Sequence, residues 1–560
     1  MDRVRPALYL ALLLILVLIW QAWNQDYGQP PTSQGPAPGA EQRTADQDQA
    51  SSERADVPSA PAAREASPAA EPEAGGDKGE PIRVVTDVLD VRISPKGGDI
   101  VRAALPTYPV SSDRPEEPFV LLETSDKYYI AQSGLIHERR QGMDTEGRAP
   151  SHHARFTADQ QTYKLQEGQE RLQVPLTWEG PDGITVTKVY TFHRGRFVVD
   201  MAQRVDNDGQ TRWVGRQYRQ LRHGPIVGED NTSQFIYTFT GAAYYDGSYE
   251  KIDFEDMADN PLRKDIQGGW IAILQHYFFS SWIPNQEQTN GYYTKSLQDQ
   301  AIPHYIIGMR SPALSAEPGE SASFHSRFYA GPKLQEQLKE IAPGLELSVD
   351  YGIFTFLSKP LFWLLDFFHS LVGNWGFAII LVTLVIKIAF YKLSEASYRS
   401  MAKMRAVQPQ LKSIKERFGD DKQRMNQALM DLYRKEKINP LGGCLPILIQ
   451  IPVFIALYWV LVESVELRQA PFMLWIDDLS ARDPYYVLPV LMGITMFLQQ
   501  KLNPAPLDPI QQKVMMALPL VFTVFFAFFP AGLVLYWFIN NLLSIGQQWV
   551  ITRRMEQGAT

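Results

Sequence analysis

One lysine inside a long apolar run constrains this chain more than any other residue. Lys387 lies within residues 377–390, which otherwise hold only apolar side chains and one threonine. A charge in hydrocarbon costs about 2.5–3.5 kcal/mol on insertion scales, and such a group usually faces a bundle interior or a water-filled cavity. Alternatively, its flexible stem carries the ammonium to the membrane surface near Tyr391. Lys387 is therefore our first candidate functional residue.

A chain of 560 residues is too long for one compact domain, and its composition divides it into unlike parts. The formal net charge is -8, and residues 24–80 alone hold 11 acidic and 4 basic side chains. No large basic field exists, so direct nucleic-acid binding is not expected. The single cysteine, Cys444, excludes an intramolecular disulfide and a two-cysteine metal site.

The N-terminal residues predict a membrane anchor followed by a tether. Arg3 and Arg5 precede an apolar run, and bulky residues stand where cleavage of a signal peptide requires small ones. A cleaved signal peptide is the alternative to the uncleaved transmembrane anchor that we predict over 1–23, with its start in the cytoplasm. Residues 24–80 nearly lack aromatic side chains, which predicts a disordered linker outside the membrane.

Alternating apolar residues predict an all-β sandwich domain over 81–345. Ile184, Val186, Tyr190 and Phe192 share one parity, and a turn around Gly195 precedes another alternating stretch. Many such stretches separated by Gly and Asp turns are typical of antiparallel sheets packed face to face.

Membrane helices are predicted for most of the remaining chain. Residues 351–372 mix aromatic side chains with Lys359, Asp366 and His369, which favours an amphipathic helix lying in the membrane interface. We expect a five-helix core bundle, with its first helix at 373–391 and four further helices within 439–552. The apolar runs are 374–391, 441–462, 485–500, 514–529 and 533–551.

Loop charges predict the topology. The segment 392–438 is rich in lysine and arginine and is therefore placed in the cytoplasm, as is the short tail 553–560 with Arg553 and Arg554. With the anchor, this gives six spans and both termini in the cytoplasm.

The segment 392–438 predicts a helical hairpin with a basic outer face, because apolar residues at helical spacing flank a turn near Gly419. Two interpretations of its basic residues stay open. Either the basic residues only solvate the hairpin and set the topology, or they contact a cytosolic partner. The candidate contact residues are Lys412, Lys415, Arg417, Lys422 and Arg424.

No pattern indicates an enzyme, and we predict no catalytic residues, no cofactor and no metal site. The phosphate-binding pattern GxxxxGK[ST] is absent. His152 and His153 have no partners at ligand spacing, so we interpret them as surface residues.

Polar residues recur among the apolar runs. In the last run they follow three- and four-residue steps, hence one helix face, and Thr383 lies one turn before Lys387. Interhelical hydrogen bonding is one explanation. A hydrated recess is the other, and it is favoured because no acidic residue inside these runs can neutralise Lys387. The candidate residues are Lys387, Thr383, Gln450, Trp537, Asn540 and Asn541.

Several segments of this membrane part carry a specific resemblance. They include the stretches NWGF at 374–377, NPLGGC at 439–444, VELRQAPF at 465–472 and FPAGLVLYW at 529–537. On these motifs the chain resembles the YidC/Oxa/Alb family of membrane protein insertases. The anchor, linker and large β domain resemble its Gram-negative branch, although over the β domain the resemblance rests on position and architecture.

The resemblance implies an insertase and chaperone of the bacterial inner membrane, with its large domain in the periplasm and no enzyme activity. It implies a hydrophilic groove, open to the cytoplasm and lipid, formed by the five core helices. A groove threonine is carried over to Thr383, a basic residue, often Arg, to Lys387, and an aromatic residue, often Tyr, to Trp537. The implied partners are nascent membrane proteins, the Sec translocon, translating ribosomes and membrane lipids.

Two other functions stay open on the sequence. One is a secondary transporter with an intramembrane lysine site, although no paired repeats with broken helices are evident. The other is a membrane-anchored periplasmic carbohydrate-binding protein in which the β domain does the work.

Overall fold

The computed structural model describes residues 58, 79–125, 128–137, 148–225, 238–298, 302–418, 421–436, 445–503 and 509–557. The predicted anchor at 1–23 lies outside the described residues, as does the predicted linker at 24–80 apart from residues 58, 79 and 80.

The first large region, the β domain, is built almost entirely from strands. Its two short helices are α1 (Asp256–Asp259) and α2 (Gln335–Ile341). The strands are β1 (Ile82–Val85), β2 (Asp90–Ile93), β3 (Ile100–Ser111), β4 (Arg114–Leu122), β5 (Ile130–His137), β6 (Thr162–Lys164), β7 (Arg171–Glu179), β8 (Ile184–His193), β9 (Val198–Asn207), β10 (Trp213–His223), β11 (Gly241–Tyr245), β12 (Tyr249–Ile252), β13 (Arg263–Gln267), β14 (Trp270–Leu274), β15 (Phe278–Pro284), β16 (Thr289–Leu297), β17 (His304–Arg310), β18 (Leu314–Ala316) and β19 (Ser321–Pro332).

These strands form two sheets among the described residues. One runs in the order β13-β16-β17-β10-β5-β3-β2-β1-β6, with β18 beside β10 and β4 beside β3. The other runs β12-β11-β14-β15-β19-β9-β8-β7. All pairings within the second sheet are antiparallel. The predicted β-sandwich is confirmed.

The core between the sheets follows the alternation of the sequence. Along β8, Ile184, Val186, Tyr190 and Phe192 are buried together with Lys188, while the residues of the opposite parity are partly exposed. A single apolar cluster contains residues from both sheets, with Trp270 and Trp282 among its largest fully buried members. Burial of one face of each sheet is what fixes the register of strands like these.

Nine helices are described in the second region. Most of them form a bundle, and the three helices between residues 391 and 435 make up the basic segment. The nine helices are α3 (Thr355–Val372), α4 (Trp375–Ala389), α5 (Tyr391–Ala406), α6 (Gln408–Phe418), α7 (Lys422–Lys435), α8 (Leu445–Glu463), α9 (Val487–Leu502), α10 (Pro509–Phe526) and α11 (Ala531–Gln557).

Helix α11 is central to this bundle, because it packs against α4, α5, α8 and α9. Helix α3 packs against α4 and α8, and α10 packs against α9. Where α9 and α10 cross, a Cβ at Gly493 would lie 1.9 Å from the Thr523 hydroxyl oxygen, so only glycine permits this approach.

The first core helix runs directly into a second helix. We predicted it to end at 391, but α4 ends at Ala389 and α5 starts at Tyr391 after a bend of 67°. By length and composition, this bent pair could cross a bilayer, whereas no helix in the described part of the chain could do so alone.

The basic segment contains three helices, where the sequence suggested two. The predicted first arm is divided at Val407, between α5 and α6. The break follows from Pro409, which has no backbone N–H to continue the helix and disfavours helical geometry in the preceding residue. Helices α6 and α7 pack against each other around Leu411 and Leu432.

Contacts join the two regions. Arg468, in the loop between α8 and α9, donates hydrogen bonds to the Pro109 and Val110 carbonyls at 2.7 and 3.0 Å. The His276 Nε2 lies 2.9 Å from the Val462 carbonyl oxygen near the end of α8.

Candidate functional site

Lys387 lies in the last turn of α4 and extends toward α11. Its Nζ donates a 2.7 Å hydrogen bond to the Ser544 hydroxyl, which donates in turn to the Asn540 carbonyl at 2.7 Å. Lys387 is half-buried, whereas Ser544 is buried. The ammonium is thus held by a side chain of the neighbouring helix.

A second hydrogen bond links α8 to the same stretch of α11. The Gln450 Nε2 donates to Asn540 Oδ1 at 2.6 Å. Asn540 is one turn from Ser544, so Gln450, Asn540, Ser544 and Lys387 form one connected polar chain across three helices. The helices around it are otherwise strongly apolar.

The polar face of α11 has more hydrogen-bonding groups than the described residues satisfy. Asn541 Nδ2, Gln547 Oε1 and Gln548 Oε1 are buried and have no partner among those residues. The Gln548 Nε2 donates to the Leu502 carbonyl at 3.2 Å and to Asn503 Oδ1 at 3.4 Å, whereas its Oε1 accepts no hydrogen bond from a described residue. Buried groups of this kind need a partner, from a ligand or from water.

Thr383 is in a different environment from the other candidates. Its side chain is fully buried, and its hydroxyl donates to the Ile379 carbonyl at 2.6 Å within the same helix. It therefore belongs to the packed interior below Lys387, and no hydrogen bond joins it to the polar chain.

Trp537 is part of an aromatic cluster next to the polar chain. Its ring packs edge-on against Phe454 at 4.5 Å and lies 5.1 Å from the ring of Phe526. It is partly buried, so one part of the indole remains accessible.

Sequence reasoning identified the polar face of α11 but missed which of its residues holds Lys387. Ser544 is four residues after Asn540 and seven after Trp537, and helical spacing already places it on the same face as both. What spacing could not give is the distance from α4 to α11.

The basic candidates of α6 and α7 lie on the surface. Lys412, Lys415, Arg417 and Arg424 are exposed, while the side chain of Lys422 lies outside the described residues. Arg424 forms an ion pair with Asp421 at 3.3 Å.

The described residues contain no group of three His, Cys, Asp or Glu side chains that could hold a metal ion. The interpretation of His152 as a surface residue was wrong. It is 2% exposed, and both its backbone N–H and its Nδ1 contact the Tyr218 hydroxyl. Its neighbour His153 is only partly buried. The sequence around His152 is polar, so no local signal indicated burial.

Comparisons with known proteins cover almost the whole chain. Residues 81–364 match the family described as YidC periplasmic domain, and residues 367–558 match 60Kd inner membrane protein. A crystal structure titled "Active YidC insertase crystal structure with the first transmembrane domain resolved" aligns at 16% identity and a TM-score of 0.39, over 84% of this chain and 92% of that one.

Two curated relatives are named membrane protein insertase YidC. That of Thioalkalivibrio sulfidiphilus is 61% identical over 557 residues, covering 100% of this chain and 99% of the relative. That of Methylococcus capsulatus is 51% identical over 560 residues, with coverage of 100% and 99%. The chain therefore belongs to the YidC family of membrane protein insertases, with the family's periplasmic β-sandwich domain followed by its helical inner-membrane region.

Proposed function

We propose that this chain inserts integral proteins into the bacterial inner membrane and assists their folding, using a polar recess between α4, α8 and α11 that opens to the cytoplasm and the lipid. The observation that carries this proposal is the polar chain from Lys387 through Ser544 and Asn540 to Gln450. The unpartnered amide atoms on α11 extend it. Charged and polar side chains are rare inside such apolar helices and usually mark a functional site.

A client helix first places its polar leading tail in this recess. Lys387 attracts an acidic tail, and Gln450, Asn540 and Asn541 replace part of the hydration shell of the tail. Partition of the apolar client segment drives the transfer, since each Leu, Ile, Phe or Val contributes about -0.3 to -0.6 kcal/mol. The membrane potential adds about 2.3 kcal/mol per charge per 100 mV for an acidic tail that moves outward. No fuel is needed.

Trp537 and Thr383 have different parts in this proposal. Trp537 offers a partly accessible ring to apolar client residues at the edge of the aromatic cluster. Thr383 does not contact the client, because its hydroxyl donates to the Ile379 carbonyl. It supports Lys387 by packing one turn earlier on the same helix.

The proposed topology has six spans, with both termini in the cytoplasm. Helix α3 lies in the periplasmic membrane interface, which is supported by the exposed aromatic residues Phe356 and Trp363 along it. Helices α9 and α10 expose Val490, Ile494 and Leu520 among other apolar residues, as lipid-facing helices do. Helices α5 to α7 then extend into the cytoplasm.

Cytoplasmic partners use the basic segment. We place transient contact with translating ribosomes on Lys412, Lys415, Arg417, Lys422 and Arg424, of which those with described side chains are exposed. The chain acts alone or beside the Sec translocon, with nascent membrane proteins as clients.

The decisive experiment is insertion of a small client with an acidic tail by proteoliposomes containing Lys387→Ala. We expect about a tenfold loss of insertion rate, from losing part of the roughly 2.5–3.5 kcal/mol at stake for a charge in hydrocarbon. Lys387→Arg should retain most activity, since it keeps the charge. Lys392→Ala, at an exposed lysine in the first turn of α5, is the matched control. Normal insertion by a folded Lys387→Ala protein would contradict the proposal.

Two further measurements separate this function from its rivals. Deletion of residues 81–330 should leave much of the insertion activity, whereas a carbohydrate-binding protein would lose its function. Solute uptake by the same vesicles, absent for an insertase, would instead support a transporter.

A further inference from the structure

A cavity of about 150 Å³ lies where the β domain meets the helical region. The β domain contributes Phe239, Tyr249 and Leu274 to its walls, and α8 contributes Trp459. Gly352, on the segment that leads from the β domain into α3, lies at its edge. One water molecule needs only about 10–15 Å³, so the cavity is large enough for an organic group.

Two buried side chains of opposite charge face this cavity. Lys333 follows β19 and is 4% exposed, and Glu463 ends α8 and is 6% exposed. Neither side chain makes a hydrogen bond or an ion-pair contact with a described residue. Burial lowers the pKa of Lys333 to about 8, and the charge of Glu463 opposes that shift. Buried charges are costly unless something pairs with them.

The other two charged residues of the cavity neutralise each other. Lys251 and Asp350 form an ion pair at 2.5 Å, and both are about one-third exposed, so they form the rim. The Lys251 ammonium also lies 4.8 Å from the centre of the Phe239 ring. The buried part of the cavity thus holds one positive and one negative group, whose charges act on each other without a hydrogen bond or a close ion pair between them. A ligand that carries both charges would match it.

The surface next to the cavity is strongly apolar. Ile353 and Phe356 come one and four residues after Gly352 in the chain and are 85% and 74% exposed. Exposed apolar side chains beside a charged cavity match the two parts of a phospholipid, its acyl chains and its headgroup. A small soluble zwitterion would use the charges but not these side chains.

We propose that this cavity binds the headgroup of a zwitterionic phospholipid with a primary ammonium, placing the phosphate at Lys333 and the ammonium at Glu463. The acyl chains lie along Ile353 and Phe356. The inference rests on the membrane location within the proposed function and is independent of the recess around Lys387. Its consequence is that one lipid links the β domain to the end of α8.

The test is lipid binding to the purified full-length protein in detergent, followed by native mass spectrometry. Phosphatidylethanolamine should bind about tenfold more tightly than phosphatidylcholine, whose ammonium has no N–H to donate to Glu463, and than phosphatidylglycerol, which has no ammonium. Equal binding of the three lipids, within about twofold, would overturn the proposal. This test uses the wild-type protein alone.

Two substitutions assign the contacts. Glu463→Gln should abolish the preference for the ethanolamine lipid, and Lys333→Gln should weaken binding of all three lipids about tenfold. Lys339→Gln, at an exposed lysine on α2 paired with Glu336, is the control and should change nothing. A preference that survives both cavity substitutions would refute the site.

A soluble headgroup separates lipid from other zwitterions. Glycerophosphoethanolamine should compete only weakly, because it lacks acyl chains, and competition as strong as that of the lipid would overturn the lipid assignment. Client insertion by Lys333→Gln should stay near wild type. Loss of lipid preference and loss of insertion therefore report separately on the two proposals.

Discussion

Each of the two regions of this molecule encloses a lysine, fully in the β domain and only partly in the helical region, and the surroundings of the two lysines differ. In the β domain, Lys188 is fully buried and donates to the Gly97 carbonyl and to both oxygens of Ser133, at 2.5 to 3.0 Å. Burial lowers its pKa to about 8, although the charge of buried Asp99 opposes this. In the helical region, Lys387 donates one hydrogen bond within the described part of the chain, to the Ser544 hydroxyl at 2.7 Å.

This difference separates a lysine that holds the fold together from one to which we assign a functional role under the proposed mechanism. All three protons of the Lys188 ammonium have acceptors on the protein, so nothing is left for a ligand. Lys387 retains donor capacity in an apolar bundle, where a client group or water can use it. The surroundings of Lys188 are therefore complete, whereas those of Lys387 are not.

Removing the positive charge of each lysine in turn tests this difference most directly. Lys188→Met should lower the free energy of unfolding by about 3–5 kcal/mol, because it leaves Asp99 as an uncompensated buried charge. Lys387→Met should change stability by less than about 1 kcal/mol, since no buried carboxylate depends on it. Denaturant unfolding of the full-length protein in detergent measures both. Equal losses would show that the two lysines are the same kind of residue.

A second test concerns the contact between the regions. Arg468→Ala should weaken their docking by about 2–3 kcal/mol, because it removes two hydrogen bonds from a charged donor and a contact with the Phe278 ring at 5.3 Å. Hydrogen exchange along β3 reports the change. Arg482→Ala, at an exposed arginine of the same loop, is the control. Unchanged exchange at the backbone N–H groups of Val110 and its neighbours along β3 would show that the loop does not hold the β domain.

The pH dependence of the same contact should be smaller. Burial and the neighbouring charges of Lys333 and Arg468 lower the pKa of His276 from 6.5 to about 4. The undocked state therefore binds more protons between pH 6.5 and pH 4, and stability falls as the pH decreases through that window, by about 1–2 kcal/mol for this partly exposed group.

Unfolding measured at pH 7 and pH 5 for wild type and His276→Gln isolates this contribution from other titrating groups. Wild type should lose more stability than the variant on acidification. Parallel losses in both proteins would mean that His276 is protonated equally in the docked and undocked states.

The smallest effect on stability is expected for the basic segment. Lys412→Gln combined with Arg417→Gln should change the free energy of unfolding by less than about 0.5 kcal/mol, since both side chains are exposed. Cosedimentation with translating ribosomes at low salt should nevertheless decrease, as electrostatic contacts do when charge is removed. Neutralising Arg553 and Arg554 is the control. Unchanged cosedimentation would show that Lys412 and Arg417 only solvate the segment.

Much of the β domain could be predicted because strand alternation is local information. The same alternation also contained a signal that we did not use. Lys188 shares the parity of Ile184, Val186, Tyr190 and Phe192, so its position on β8 already predicted an inward side chain. Its residue type argues the other way, because lysine is rarely buried fully.

The helical region was predictable at a coarser level. Hydropathy located the apolar helices, and the polar spacing on the last one identified Asn540 and its neighbours. The bend between α4 and α5 was not predicted, because no proline or glycine marks Phe390, where the two helices meet. The break at Val407 did have a local cause, in Pro409.

The sequence by itself determined which segments are sheet and which are apolar helix, and it determined that Lys387 is an unusual residue, because period and hydropathy are properties of neighbours along the chain. Only the tertiary structure decided what each buried charge faces. Lys188 meets fixed carbonyls, Lys387 meets one hydroxyl on a helix more than 150 residues later, and Lys333 meets a cavity closed by Glu463. Such partners are set by how the elements pack, and the free energy of a buried charge depends on those partners more than on its own sequence context.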